Sequence, residues 1–251
     1  MTSDTLPITG LPAGEVSPSV IVCGDPARAE RIAERLEDSA ILSRKREYWV
    51  YRGRYGGKLV TVCSHGIGAP GAAIAFEELI AAGAERIIRV GTCGGLQPNI
   101  QPGQLIVATA AVQNTGYGRE VVPYGYPAVA DLDLTRRLWG VVEEIAAERG
   151  LGRRRGFVLT RDAFYGGVAA PAVPDYREMS RANVQAVEME CAALFLVGSM
   201  RRVATAAVLV VDGNVLETSE SMDTYAPGRE VVHQAVDIAA LCALETLQGI
   251  E

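Results

Sequence analysis

Short apolar runs rich in Val and Ile alternate with helical stretches along almost the whole chain, and the connections between them are brief. Ser19–Cys23 (SVIVC) reads as a buried strand, followed by Gly24-Asp25-Pro26 and a helix over Ala27–Leu36. Tyr48–Tyr55 and Lys58–Cys63 flank Gly56-Gly57 and read as a hairpin. A helix over Gly71–Ala82 precedes a strand at Arg86–Val90, and a strand at Gln104–Val112 precedes a helix over Leu134–Arg149. Strands at Gly156–Thr160 and Thr205–Val211 and helices over Glu190–Arg201 and Arg229–Leu247 complete the pattern. Strands without a polar face must be covered on both sides, so the pattern implies an α/β fold with a largely parallel or mixed sheet between helices. The loosest stretches are Gln113–Ala130, Gly166–Asp175 and Glu217–Pro227. No internal repeat or Ser/Pro-rich linker divides the 251 residues, so one domain over 1–251 is expected, with 1–18 an N-terminal extension available to a neighbouring subunit.

Composition removes several classes of function. A net charge of −6 argues against a protein that coats nucleic acid. No apolar run approaches the ~20 residues of a membrane span, and the first 25 residues carry no basic region followed by an apolar one. A cytoplasmic protein without nucleic-acid or membrane partners is therefore expected. Cys23, Cys63, Cys93, Cys191 and Cys242 are scattered, with no CxxC pair, which points to reduced, buried thiols, with neither disulfides nor a metal site.

Four segments have the residue types that chemistry requires. In Val22–Arg28 a strand ends in glycine, Pro26 opens a helix, and Arg28 lies in the first turn, where exposed N–H groups favour an anion. Cys63–Gly71 contains a literal GxGxxG, but the acidic residue a dinucleotide site needs at the end of the next strand is missing: Glu85 precedes that strand. Glycines that let strand and helix pack closely are the better account. In Ile88–Gly95, Arg89 interrupts an apolar strand, and such a charge must meet either an anionic ligand or a buried Glu. Finally, Glu188 and Glu190 lead into an apolar helix, and Asp212 closes the apolar strand AAVLVVD. A carboxylate accepts two hydrogen bonds and so could grip a diol. A carboxyl buried like Asp212 would have a raised pKa and could act as a general acid, whereas a helix cap or buried anchor is the plainer role for each acid taken singly.

Taken together, the chain resembles the purine nucleoside and uridine phosphorylase family in its hexameric class, from about Ser19 to the C-terminal helix. The matching motifs are GDPxR (Gly24–Arg28), Arg46-Glu47-Tyr48, SHGIGxPG (Ser64–Gly71), IIRVGTCGxLQ (Ile88–Gln97), PAVAD (Pro127–Asp131), DAFY (Asp162–Tyr165) and VEMExA (Val187–Ala192). The resemblance implies a three-layer α/β/α sandwich around a mixed, partly barrel-like sheet. It also implies reversible cleavage of a nucleoside by inorganic phosphate, a co-substrate, with no cofactor. Residue by residue, it implies that Gly24, Arg28, Arg89 and Thr92 hold phosphate and that Arg46 is donated from a neighbouring subunit of a homo-oligomer. Met189 and Glu190, with Glu188 beside them, match the ribose site, and Phe164 the aromatic packed on the base. Asp212 matches the aspartate that protonates N7 of a leaving purine, with Arg229 as its assistant if a short insertion is allowed.

Departures from the family pattern bear on the substrate. The Gln and Arg that read uracil are replaced by Gly166-Gly167-Val168-Ala169-Ala170, which favours purines, although PAVAD and the FY pair look as much like the uridine branch. The histidine that reaches a neighbour's 5′-hydroxyl is absent, since His65 and His233 are the only two histidines, which leaves 5′-modified nucleosides such as methylthioadenosine open. The expected activity is that of a purine nucleoside phosphorylase. Uridine phosphorylase, methylthioadenosine phosphorylase, a hydrolytic nucleosidase and a non-catalytic binding module are the alternatives.

Overall fold

The computed structural model describes residues 5–165, 175–217 and 229–250. The chain runs through β1 (Ser19–Cys23), α1 (Pro26–Ala33), β2 (Glu37–Lys45), β3 (Tyr48–Tyr55), β4 (Lys58–Ser64) and α2 (Ala69–Ala81). It continues through β5 (Arg86–Gly95), β6 (Leu105–Asn114), α3 (Gly116–Val121), β7 (Ala128–Val129), α4 (Leu132–Glu148) and β8 (Arg153–Arg161). After these come α5 (Tyr176–Arg181), β9 (Ala186–Glu188), α6 (Cys191–Arg201), β10 (Ala204–Asn214) and α7 (Glu230–Gln248).

All strands belong to one mixed sheet. β5, β10, β6, β8 and β9 pair in that order, and β9 pairs back to β5, so this part closes into a ring. From β5 an arm of β1, β4, β3 and β2 extends outward. Alternation along β10 shows how the layers form. Ala206, Val208 and Val210 belong to the core layer that holds α1, α4 and α7, whereas Ala207, Leu209 and Val211 belong to the layer that holds α2 and α6. Successive strand residues point to opposite faces, so each apolar strand feeds both helical layers. The three-layer, partly barrel-like architecture is as expected.

The differences have local causes. β5 does not stop at Val90 but runs on through Gly91-Thr92-Cys93-Gly94-Gly95, since β10 and β9 supply its ladder partners there. β2 is an exposed edge strand rich in charge, which guards the sheet edge but hides the strand from an apolar pattern. α1 ends at Ala33, three residues short of Leu36. The loose stretch at 113–130 carries α3 and β7, while 166–174 and 218–228 lie outside the described residues. Residues 5–18 dock on their own chain: the amides of Ile8 and Thr9 donate to Glu78 of α2 at 3.0 and 2.7 Å. Among the described residues, no helix is long and apolar enough to cross a membrane.

Candidate active site

A cavity of about 960 Å³ opens beyond the carboxyl ends of β1, β5, β8, β9 and β10, where open α/β sheets place ligands. Gly24, Arg28, Arg89, Thr92, Phe164, Glu188, Met189, Glu190 and Asp212 all line it. Segments spread over nearly 190 positions of sequence thus converge on one space. Arg46 and Arg229 are not among its lining residues.

One end is cationic. Asp25 caps α1 by accepting from the Ala27 amide at 2.9 Å, and Pro26 occupies the first turn. Arg28, on that turn, donates to the Val90 carbonyl at 3.3 Å, while its Nε is buried without a partner. Burial pulls the Arg28 pKa down. A cation so placed favours an incoming anion. Arg31, one turn further on, also lines the cavity.

Arg89 is 3% exposed and sits beside both carboxylates, with Glu190 Oε2 in close contact and Glu188 Oε2 at 3.5 Å. Burial opposes its charge, but Glu190 and Glu188 more than offset that and hold the guanidinium protonated. Of the two accounts of a buried arginine, the ion pair with a buried Glu is therefore present, and Arg89 Nε is still left without a partner. Gly91, two residues along the same face, makes room: a Cβ there would lie 2.7 Å from the Arg89 Cζ.

His65, fully buried, orients Arg89 from the other side. Its Nδ1 lies 2.9 Å from the Gly66 carbonyl, so Nδ1 carries the proton, and Nε2 accepts from Arg89 Nη1 at 3.1 Å. Burial, then Arg89, hold the His65 pKa well below its ordinary 6.5. The unfolded chain therefore binds a proton that the fold refuses, which leaves stability unaffected above the ordinary value and lowers it as pH falls below. His65→Gln, which keeps a donor and an acceptor, should flatten the fall in urea midpoint between about pH 7 and 5. An unchanged slope would show that His65 is not the titrating group.

The carboxylates divide their tasks. Glu190 Oε1 accepts from the Gly68 amide at 2.7 Å, and burial raises its pKa against the pull of Arg89. Gly66 and Gly68 adopt φ of +73° and +95°, and a Cβ on Gly66 would come 2.9 Å from Glu47 Cγ. The GxGxxG segment thus aims a backbone donor at Glu190. Glu188 Oε2 accepts from the Glu190 and Cys191 amides, both at 2.8 Å, and Oε1 accepts from the Thr160 hydroxyl. Glu188 therefore satisfies the first N–H groups of α6, the anchoring role open to it from the start, and it holds Glu190 in place.

Asp212 occupies a β-bulge. Val211 pairs with Cys93 and Gly213 with Gly94, so Asp212 is the extra residue of the bulge. Such a bulge re-aims a side chain next to a site. Asp212 lines the cavity and is half-buried, less enclosed than its apolar strand suggests. Together with burial, it helps push the Cys93 thiol well above its ordinary value. All five cysteines are free and buried. Phe164 packs edge-on against Tyr165 at 5.1 Å. Arg46 stands exposed on the turn between β2 and β3 with φ of +56°, an unusual conformation for a side chain of this size that costs roughly 1–2 kcal/mol. Arg229 is exposed at the N-cap of α7. The uracil-reading segment, 166–170, lies outside the described residues. The sequence reading overlooked Arg161, the residue that ends β8 and lines the cavity. Its signal was a charge directly after the apolar run FVLT, the same signal that singled out Arg89.

The phosphorylase superfamily model matches residues 18–248. The chain belongs to the phosphorylase superfamily. A uridine phosphorylase of Treponema pallidum is 39% identical over 221 residues, covering 85% of this chain and 84% of the relative. A guanosine phosphorylase of Halorubrum lacusprofundi is 37% identical, covering 81% of each chain. A solved purine nucleoside phosphorylase of Toxoplasma gondii, in complex with immucillin-H, superimposes with a TM-score of 0.87 at 33% identity over 98% of this chain and 96% of that one.

Proposed function

We propose that this phosphorylase cleaves purine nucleosides with inorganic phosphate, giving the free base and (deoxy)ribose 1-phosphate. One observation carries this reading: unpartnered arginine donors, a hydrogen-bonded carboxylate and a re-aimed Asp212 face a single cavity large enough for both substrates. Phosphate would lie at Gly24, Arg28, Arg89 and Thr92, and so supply the anion that Arg28 lacks. Glu190 would accept the 2′- and 3′-hydroxyls, with Met189 against the sugar and Phe164 on the base, while Glu188 positions Glu190. A phosphate oxygen forms the bond to C1′ as the C1′–N9 bond breaks, and the bond electrons leave with the base. Asp212 gives a proton to N7, so the purine departs neutral. The transition state is oxocarbenium-like, and positioning the dianion with arginines limits its repulsion from Glu190. The arginine set favours phosphate over water as nucleophile.

The reading includes a homohexamer arranged as a trimer of dimers, in a cytoplasmic enzyme of purine salvage. Arg46 would complete the phosphate site of a neighbour, which accords with its exposed turn, and Arg229 would assist Asp212. Arg46→Ala and Asp212→Asn, each nearly inactive alone, should regain activity when mixed under subunit exchange, because some sites then have both wild-type residues. Verified exchange without recovery would contradict a shared site.

The base preference is tested by kcat/KM for inosine, guanosine, adenosine, methylthioadenosine and uridine at saturating phosphate. A purine should lead. A uridine value far above the rest would establish the second reading, which the Treponema pallidum relative favours.

A further inference from the structure

Arg161 is the other buried cation of the cavity, 7% exposed. Its Nη1 donates to the Tyr176 hydroxyl, and its guanidinium carbon lies 5.4 Å from the centre of the Tyr176 ring. Its Nε is buried without a partner, and among the described residues it forms no ion pair with a carboxylate. Arg89, also buried, has two. A guanidinium offers donors only, and burying it without a counter-charge is unfavourable unless a ligand supplies an acceptor.

The topology says which part of a ligand that is. β8, β9 and β5 are consecutive in the sheet, Thr160 pairs with Glu188, and Glu188 in turn contacts Arg89, so the carboxylate of β9 stands between Arg89 and the strand that Arg161 ends. Arg161 is thus across the ribose-binding residues from the phosphate arginines, three positions before Phe164.

Resting on the nucleoside phosphorylase reading, we propose that Arg161 donates to the exocyclic carbonyl oxygen of the base and makes the site selective for oxo bases over amino bases. As the C1′–N bond breaks, electron density from the leaving nitrogen spreads onto that oxygen, where a guanidinium stabilises it. An amino group at the same place presents donors to donors and leaves the buried cation unsatisfied, the situation in which sites discriminate most strongly. O6 of a 6-oxopurine and O4 of uracil share this chemistry. With a purine, Asp212 serves N7 while Arg161 serves O6, so the two do not compete.

The test measures kcat and KM of wild type, Arg161→Met and Arg161→Lys on inosine, uridine and adenosine at saturating phosphate. Met keeps the apolar stem without donors, and Lys keeps the charge without the fork. In Arg161→Met, kcat/KM for the preferred oxo nucleoside should fall by about 10²-fold, partly in kcat, while adenosine changes by less than about threefold. Arg161→Lys should fall between. Whether inosine or uridine shows the loss identifies the oxo base. Equal slowing of all three substrates would make Arg161 structural and overturn the proposal. If Arg161→Met does not fold, an Arg161→Lys ratio of oxo to amino substrate equal to that of wild type overturns it as well. Wild type that cleaves none of the three in phosphate would instead refute the phosphorylase reading beneath it.

Discussion

Asp212→Asn should slow inosine phosphorolysis by about 10²–10⁴-fold, the range of a general acid that protonates a leaving group. Asn preserves shape and hydrogen-bonding capacity but has no proton to transfer. 7-Methylinosine, whose base already carries the positive charge, should be slowed far less, and uridine, which has no N7, should be comparatively spared. The β-bulge strengthens this expectation, because it turns Asp212 out of the regular ladder and into the cavity. Steady-state rates on the three substrates decide the matter. Equal slowing of all three would make Asp212 a structural residue and remove the purine-specific step.

Arg89→Ala and Arg28→Ala should both impair phosphate use, yet differ in stability. Losing Arg89 should reduce kcat/KM for phosphate by ~2–4 kcal/mol of transition-state stabilisation, on the order of 10²-fold or more. It also strands Glu190 and Glu188, buried at 5% and 4% exposure, and breaking a buried pair costs ~3–5 kcal/mol of folding stability. Arg28 donates to the Val90 carbonyl and forms no ion pair with a carboxylate among the described residues. Arg28→Ala should therefore weaken phosphate use by about 10–100-fold while leaving the urea midpoint nearly unchanged. Phosphate kinetics and urea unfolding on both variants test this. Unaltered phosphate kinetics in a folded Arg28→Ala would refute the phosphate pocket, and an undiminished midpoint in Arg89→Ala would show that the ion pair is not a structural one.

Much of this was legible in the sequence because apolar periodicity reports burial. β1, β3, β4, α2, α4 and α7 lie close to where their patterns place them. The pattern fails where burial does not speak. β2 is polar and exposed, β9 is three residues long, and the latter half of β5 is glycine-rich, held by partners that only the closed ring provides. α3 begins with two glycines within three residues, and α5 buries no side chain. In the site, Arg89 was conspicuous as a charge inside an apolar run, but its partners come from the residue after β4, from the end of β9 and from the N-cap of α6, all distant in sequence. Glu188 and Glu190 were indistinguishable by residue type. Only the backbone shows that one anchors a helix while the other faces Gly68. The bulge at Asp212 is a register shift between strands, which no single strand encodes.

The most direct measurement follows wild-type turnover of inosine with and without inorganic phosphate and identifies the sugar product. Base release should depend on phosphate, saturate with it, and yield ribose 1-phosphate in equal amount to the base. Equal turnover in phosphate-free buffer with free ribose as product would make the protein a hydrolytic nucleosidase and contradict the role assigned to its arginines.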